Sequence, residues 1–305
     1  MQVYNNAFRT KSVMNVQNNP NSHIFERKSI RQYRADSIPS DLLARIPEWV
    51  HGIQGLERTS RFVAEIHDFD LRDKPSQALG GFGRIMSPPH FLAPYIISGK
   101  HALVDLGYRT QQIVMDMWRH GIGSCYIGCV HRQKRAKTAL GLPPEAKIAA
   151  FIVFGVPDWN RPERLYRQIS RVFTRSHRRK PLEDLFLDPD WQTMATEASI
   201  LRHVLEAGRH APSAMNAQPW RFRIEDGMLA VFAKINDANR IYDLNQDYPL
   251  HDAGICMANM SMAAREYGCE TEWNLIGAPK LELIRGQQVM RIADFPIKDF
   301  RRNVD

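Results

Sequence analysis

At 305 residues, 44% of them hydrophobic and 24% charged, the chain has the composition of a globular protein able to bury a sizeable core. No apolar run approaches the roughly 20 residues that span a bilayer. The start of the chain is polar and Asn-rich, without the apolar stretch of a secretory signal. A formal charge of +8 invites a nucleic-acid reading, but no helix-turn-helix, zinc-finger or RNP motif accompanies it, so sequence-specific nucleic-acid binding is set aside.

In chain order, residues 1–24 read as a polar tail or surface strap. Arg27-Lys28-Ser29-Ile30-Arg31 comes next, with two planar guanidinium forks, an ammonium and a hydroxyl suited to a dianion. Taken alone, such a basic pentapeptide is more often a solvated face. Leu43 to Ile66 reads as an amphipathic helix, a loop and a short strand. The Gly-, Pro- and aromatic-rich stretch from Pro75 to Pro94 reads as an ordered surface loop or a substrate-side lid, with Phe82, Arg84, His90 and Phe91 as candidate contacts.

Residues 103–120 have helical periodicity, with Leu106, Ile113, Val114 and Met117 on an apolar stripe that reads as core rather than a cofactor box. The octapeptide Gly121 to Gly128, GIGSCYIG, reads as a helix C-cap followed by a tight turn. Much of the positive excess lies between Arg161 and Lys180, a surface suited to attracting phosphorylated ligands. The cysteines Cys125, Cys129, Cys256 and Cys269 form no CxxC pair and no zinc spacing, so no metal is expected. They read as buried thiols in a reducing cytoplasm.

The stretch Ala211 to Trp220, APSAMNAQPW, carries the most chemistry. Pro212 and Pro219 fix φ and remove amide donors, while Ser213, Asn216 and Gln218 present hydroxyl and amide groups from a stiffened backbone. A flat heterocycle such as a flavin or a nucleobase suits this pattern, and so does a structured turn. The helix, loop and strand of Leu201 to Ile224 align without gaps to Leu43 to Ile66 (201 − 43 = 158). Asp252-Ala253-Gly254 likewise aligns with Asp105-Leu106-Gly107 (252 − 105 = 147), at the start of a second long helix over 252–267.

The order P-S-x-x-N-x-Q-P-W in residues 212–220 resembles the flavin-contacting loop of the nitroreductase family. Residues 27–31 resemble that family's segment for the phosphate and ribityl chain of FMN. GIGSCYIG resembles the segment beside the isoalloxazine ring, which puts Tyr126 and Ile127 at the ring and the Gly128 amide near N5. His177 to Leu182 resembles the late segment that returns to the phosphate, with Arg179 in the Arg position and His177 where Lys is usual. Ala93 to Ile97 resembles the family's first inner strand, with Pro94 where no ladder donor is needed.

The resemblance implies an α+β fold, a mostly antiparallel sheet flanked by helices and repeated about a pseudo-two-fold axis within one chain. The halves would be residues 25–185 and 186–305. Only the first is preceded by the basic pentapeptide, and only the second holds the APSAMNAQPW loop; residues 190–197 carry nothing like RKSIR. These complementary losses imply one FMN per chain, held by Arg27, Lys28, Ser29, Arg31, Tyr126, Ile127, Gly128, Arg179, Pro212, Ser213, Ala214, Asn216 and Gln218. The implied activity is NAD(P)H-driven, ping-pong reduction of a small organic acceptor of nitro or quinone type, with the flavin rather than a side chain doing the chemistry. Two alternatives stand beside it: an FMN-dependent dehydrogenase of a biosynthetic intermediate, and an FMN-binding protein without turnover. Partners beyond small molecules are not implied, and the pseudo-dimer would be complete as a monomer.

Overall fold

The computed structural model describes residues 22–35, 38–160, 178–193, 195, 199–235 and 247–300. Most of the polar tail, the basic run 161–177 and His177 with it lie outside the described residues. The fold is α+β, with two antiparallel sheets flanked by helices. The first sheet contains β1 (Arg61–Asp68), β2 (His90–Ile97), β3 (Gly123–Gly128) and β4 (Ala150–Gly155) in the order β1-β2-β4-β3. The second contains β5 (Trp220–Glu225), β6 (Met228–Lys234), β7 (Asn274–Leu275) and β9 (Gln287–Pro296) in the order β5-β6-β9-β7, with β8 (Leu281–Ile284) also paired to β9. The four-strand order is the same in the two halves. The central strands β2 and β4 are apolar on both faces and buried on both, as strands covered on both sides must be.

The helices in chain order are α1 (Ser22–Glu26), α2 (Ser40–Gly52), α3 (Lys74–Gln77), α4 (Gly80–Met86), α5 (Ala102–Arg119), α6 (Gln133–Leu140), α7 (Ile200–Arg209) and α8 (Asp247–Glu266). The apolar stripe of α5 is core, as its spacing indicated: Leu106, Ile113, Val114 and Met117 are fully buried. Helices α5 and α8 run side by side in the same direction and make the most extensive helix pair. Two glycines allow this approach. A Cβ on Gly107 would overlap the His251 carbonyl oxygen, and a Cβ on Gly254 would overlap the Val104 carbonyl oxygen. The contact is reciprocal, since 254 − 107 and 251 − 104 both equal 147, the offset of the sequence repeat. One apolar cluster runs through both halves, joining Phe91 and Phe151 to Leu205, Trp220 and Phe295.

Two local expectations are corrected and one is met. The GIGSCYIG segment does begin as a C-cap, with Gly121 at φ 78°, but the chain then enters strand β3 rather than a tight turn. Pro94 lies in the inner strand expected, where no ladder donor is used: β2–β4 pairing stops at Leu92 and resumes only as a bridge between Ile96 and Lys147. Ile96 N–H points to that side, so Pro94 falls where the missing donor interrupts the ladder. The stretch 75–94 is not one loop: it forms the short helices α3 and α4 and the start of β2.

Two irregular segments complete the sheets. Residues 30–34 run beside the first sheet, where Ile30 N–H donates to Ser124 C=O at 2.8 Å and Arg34 N–H to Val156 C=O at 2.9 Å. Residues 185–187 do the same at β5, where Leu187 N–H donates to Phe222 C=O and Phe222 N–H to Leu185 C=O, both at 2.8 Å. The Phe186 ring stacks on Trp191 at 4.4 Å and tilts against Phe222 of β5 at 5.6 Å, so this segment packs on the second sheet.

Candidate cofactor cavity

A cavity of about 710 Å³ opens where the free edge of β3 faces α8 and the loop after α7, a size within the usual range of small-molecule sites. The segments that sequence reasoning singled out converge on it. Arg27, Lys28, Ser29, Arg31 and Arg179 line one end, Tyr126, Ile127 and Gly128 the floor, and Pro212, Ser213, Ala214 and Asn216 the loop side. Gln218 does not line it. Its side chain is turned inward, accepting from Lys180 N–H at 2.8 Å and donating to Arg178 C=O at 3.2 Å.

The loop at 211–219 is a strained turn held by its neighbours. Met215, Asn216 and Gln218 have φ of 52°, 55° and 48°, in the left-handed region that L-residues avoid. Each such residue costs on the order of 1 kcal/mol and persists only where surrounding bonds over-determine it. Here Ala214 N–H donates to the Asp252 carboxylate at 2.9 Å, Gln218 N–H donates to Ser213 Oγ at 3.0 Å, and the Asn216 amide donates to Arg178 C=O at 2.9 Å. Asn216 Oδ1 in turn accepts from Arg179 at 2.8 Å, which sets the guanidinium against the cavity.

Arg27 is 7% exposed, and no carboxylate pairs with it among the described residues. Burial holds its pKa below the ordinary value, with Arg31 adding a smaller push in the same direction. Arg179 is pushed down to about 10, first by burial and then by Arg27 and Arg209. Like charges, one buried and one half-buried, turned toward one cavity make a place for an anion. Lys28 is partly engaged elsewhere, its Nζ lying 4.7 Å over the Trp159 ring.

The floor offers backbone donors. Cys129 N–H donates to Ala149 C=O at 2.8 Å, which puts residues 125, 127 and 129 on the parity that faces β4. Ser124, Tyr126 and Gly128 therefore turn their backbone groups off the free edge, as the Ile30-to-Ser124 bond attests. Gly128 has no room for a side chain, since a Cβ there would overlap the Tyr248 hydroxyl. The Tyr126 hydroxyl donates to Gln111 at 2.9 Å; Gln111 donates to Asn259 and Asn259 to Ala207 C=O, each at 2.9 Å. That buried chain ties the floor to α8 and α7 and raises the rigidity of the site. Burial pushes the Tyr126 pKa up, keeping the phenol neutral.

Several lining residues escaped sequence reasoning, among them His210, Tyr248, His251 and Asp252. Asp252 had a signal, being one of the few residues shared by both copies of the repeat. Of the candidate substrate contacts only Phe82 lines the cavity. Arg84 is exposed on α4, His90 bonds Asp68 at 2.8 Å, and Phe91 is core stacked beneath His67. Among the described residues no cluster of potential metal ligands occurs, and no helix is long and apolar enough to cross a membrane.

A guanidinium pair at one end, one buried and one half-buried, an edge of outward-facing amides along the floor and a polar loop opposite fit a phosphorylated planar heterocycle. Comparison with known proteins bears on its identity. No curated protein matches the chain. Among solved structures it is similar to a "putative nitroreductase" from Thermotoga maritima, at 19% identity and a TM-score of 0.54, over 90% of this chain and 93% of that one. An FMN-dependent nitroreductase from Clostridium difficile matches at 19% identity and a TM-score of 0.38, over 46% of this chain and 88% of its own. An NADPH:FMN oxidoreductase from Vibrio harveyi, complexed with NAD+, matches at 21% and 0.38, over 47% and 73%. The family model described as "Putative TM nitroreductase" matches residues 21–274, and the chain belongs to that nitroreductase family.

Proposed function

We propose that the protein is an FMN-dependent oxidoreductase that takes electrons from NADH or NADPH and passes them to a small organic acceptor of nitro or quinone type. The observation that carries this reading is the Arg27–Arg179 pair, one guanidinium buried and one half-buried, both turned to one cavity, with no carboxylate on Arg27 among the described residues. Family membership supplies the redox class. Bound FMN contributes reversible hydride chemistry at N5, and the protein contributes binding, orientation and electrostatics.

In this reading Arg27, Arg31 and Arg179 hold the phosphate, with Lys28 adding positive field and Ser29 a hydroxyl for the ribityl chain. Tyr126, Ile127 and Gly128 lie along the ring, where the outward parity of Gly128 supports an amide donor. Pro212, Ser213, Ala214 and Asn216 close the other side, and Gln218 acts by bracing that loop rather than by contact. The site draws on both halves, so a single chain would suffice without a partner subunit. Four free, buried cysteines fit a reducing compartment such as the cytoplasm.

The test is the visible absorbance of the purified protein, with released cofactor quantified per chain, followed by anaerobic mixing with NADH or NADPH and then with a quinone. Bleaching by the nucleotide and recovery with the acceptor are expected. A colourless protein that takes up no added FMN would defeat the reading.

A further inference from the structure

The cavity has a geometric counterpart in the other half, and it is full. Ala214 N–H caps on Asp252 in the open half; Leu56 N–H caps on Asp105 at 2.6 Å in the other. These pairs are related by the repeat offsets, 214 − 56 = 158 and 252 − 105 = 147. The same offsets place Glu57 where the cavity has Met215, and His101 where it has Tyr248. We propose that this second site is self-occupied, with Arg109, Glu57 and His101 standing where the first site admits its ligand.

The bonds are those of a filled site. Arg109 Nε donates to the Asp105 carboxylate at 3.0 Å, and its Nη2 donates to Glu57 C=O at 3.0 Å. The guanidinium passes so close to Gly55 that a Cβ there would overlap it, whereas the counterpart of Gly55 is the cavity-lining Ser213. Glu57 bonds His101 twice, to the backbone N–H at 3.1 Å and the ring Nδ1 at 3.0 Å. His101 Nε2 reaches Ile276 C=O at 2.8 Å, closing the floor against β7.

What opens one half and closes the other is therefore a few side chains. Asp105 and Asp252 are the same residue on the same turn of the two long helices, both buried. Four residues on, the first has Arg109 as an internal cation; the second has Cys256, a buried thiol turned to Met260. Arg109 thus serves as a built-in ligand for the closed site. The count of one cofactor per chain results from this plug, and that part rests on the flavin reading above.

The experiment pairs cofactor stoichiometry with thermal unfolding of the holoprotein and of Arg109→Ala. One FMN per chain is expected for the parent protein, and two would overturn the proposal. Arg109→Ala leaves a buried carboxylate uncompensated and should lower Tm by roughly 5–10 °C. Methylguanidinium, offered at millimolar concentration, should recover at least half of that loss where sodium at equal ionic strength does not. A Tm matching the parent's, or a loss that methylguanidinium leaves untouched, would show that Arg109 fills no ligand-like site. If Arg109→Ala is insoluble, Arg109→Lys gives the same comparison: its ammonium stays beside Asp105 but cannot also reach the loop carbonyls, so an unchanged Tm overturns the plug. A protein that binds no flavin would remove the stoichiometry arm only, leaving the thermal arms to decide the plug.

Discussion

Arg27→Met separates binding from stability because the two should move in opposite directions. In the apo protein, Arg27 is a buried guanidinium with no carboxylate partner among the described residues, repelled by Arg31 and itself depressing Arg179. Exchanging such a charge for an apolar side chain of similar length should stabilise the apo fold by about 1 kcal/mol, raising Tm by ~2–3 °C. In the loaded protein the same change removes a charge-assisted contact worth about 2–3 kcal/mol, so Kd for FMN should rise by roughly 30- to 150-fold. Mass action sets the ligand-induced shift. At a free FMN concentration about 100 times the parent Kd, the parent gains about 2.7 kcal/mol; a variant with a 100-fold weaker Kd gains only about 0.4 kcal/mol. Scanning calorimetry of flavin-stripped and reloaded samples, with a flavin fluorescence titration, measures both arms. An unchanged Kd would refute the anion role of Arg27. A large fall in apo Tm would refute the unsatisfied-charge argument, showing that Arg27 is held by contacts that matter to the fold.

Gly254→Ala tests the helix contact. Its new Cβ would overlap a backbone carbonyl of the neighbouring helix, which cannot rotate away, so a loss of about 2–3 kcal/mol and a lower urea midpoint are expected; an unchanged midpoint would mean that the helices can part freely. Glu266 provides a pH test. Burial, partly offset by Arg119, raises its carboxyl from an ordinary value of 4.5 to about 7. A raised folded pKa means the native state binds this proton more tightly, so stability falls as pH rises through that window and the penalty is complete above it. The group is half exposed, so solvent screening reduces the penalty to about 1 kcal/mol. Glu266→Gln should therefore raise Tm by ~2–3 °C well above neutral pH and leave it unchanged in mild acid; the same gain at both pH values would point to a cause other than ionisation.

Much of the site was legible because its chemistry is written in short segments. The basic pentapeptide, the glycines of GIGSCYIG and the prolines and amides after α7 each need only local reasons. The misreadings arose where a local reason met a distant neighbour. GIGSCYIG continues as a strand because β4 arrives to pair with it. Gln218 looked like a ring contact because its amide is polar, but residues 178–180 pass beside it and take both its donor and its acceptor.

By itself the sequence determined the helical stripe of α5 and the glycine that caps its end, both set by backbone conformation and spacing. Only the tertiary structure decided which half would hold an open site. Asp105 and Asp252 are the same residue at the same place in the repeat. One is neutralised by Arg109 and walled in by Glu57 and His101; the other faces a cavity beside Met215 and Tyr248. Whether a buried carboxylate closes a site or borders one depends on which charges and volumes pack against it, and those come from segments far apart in the chain.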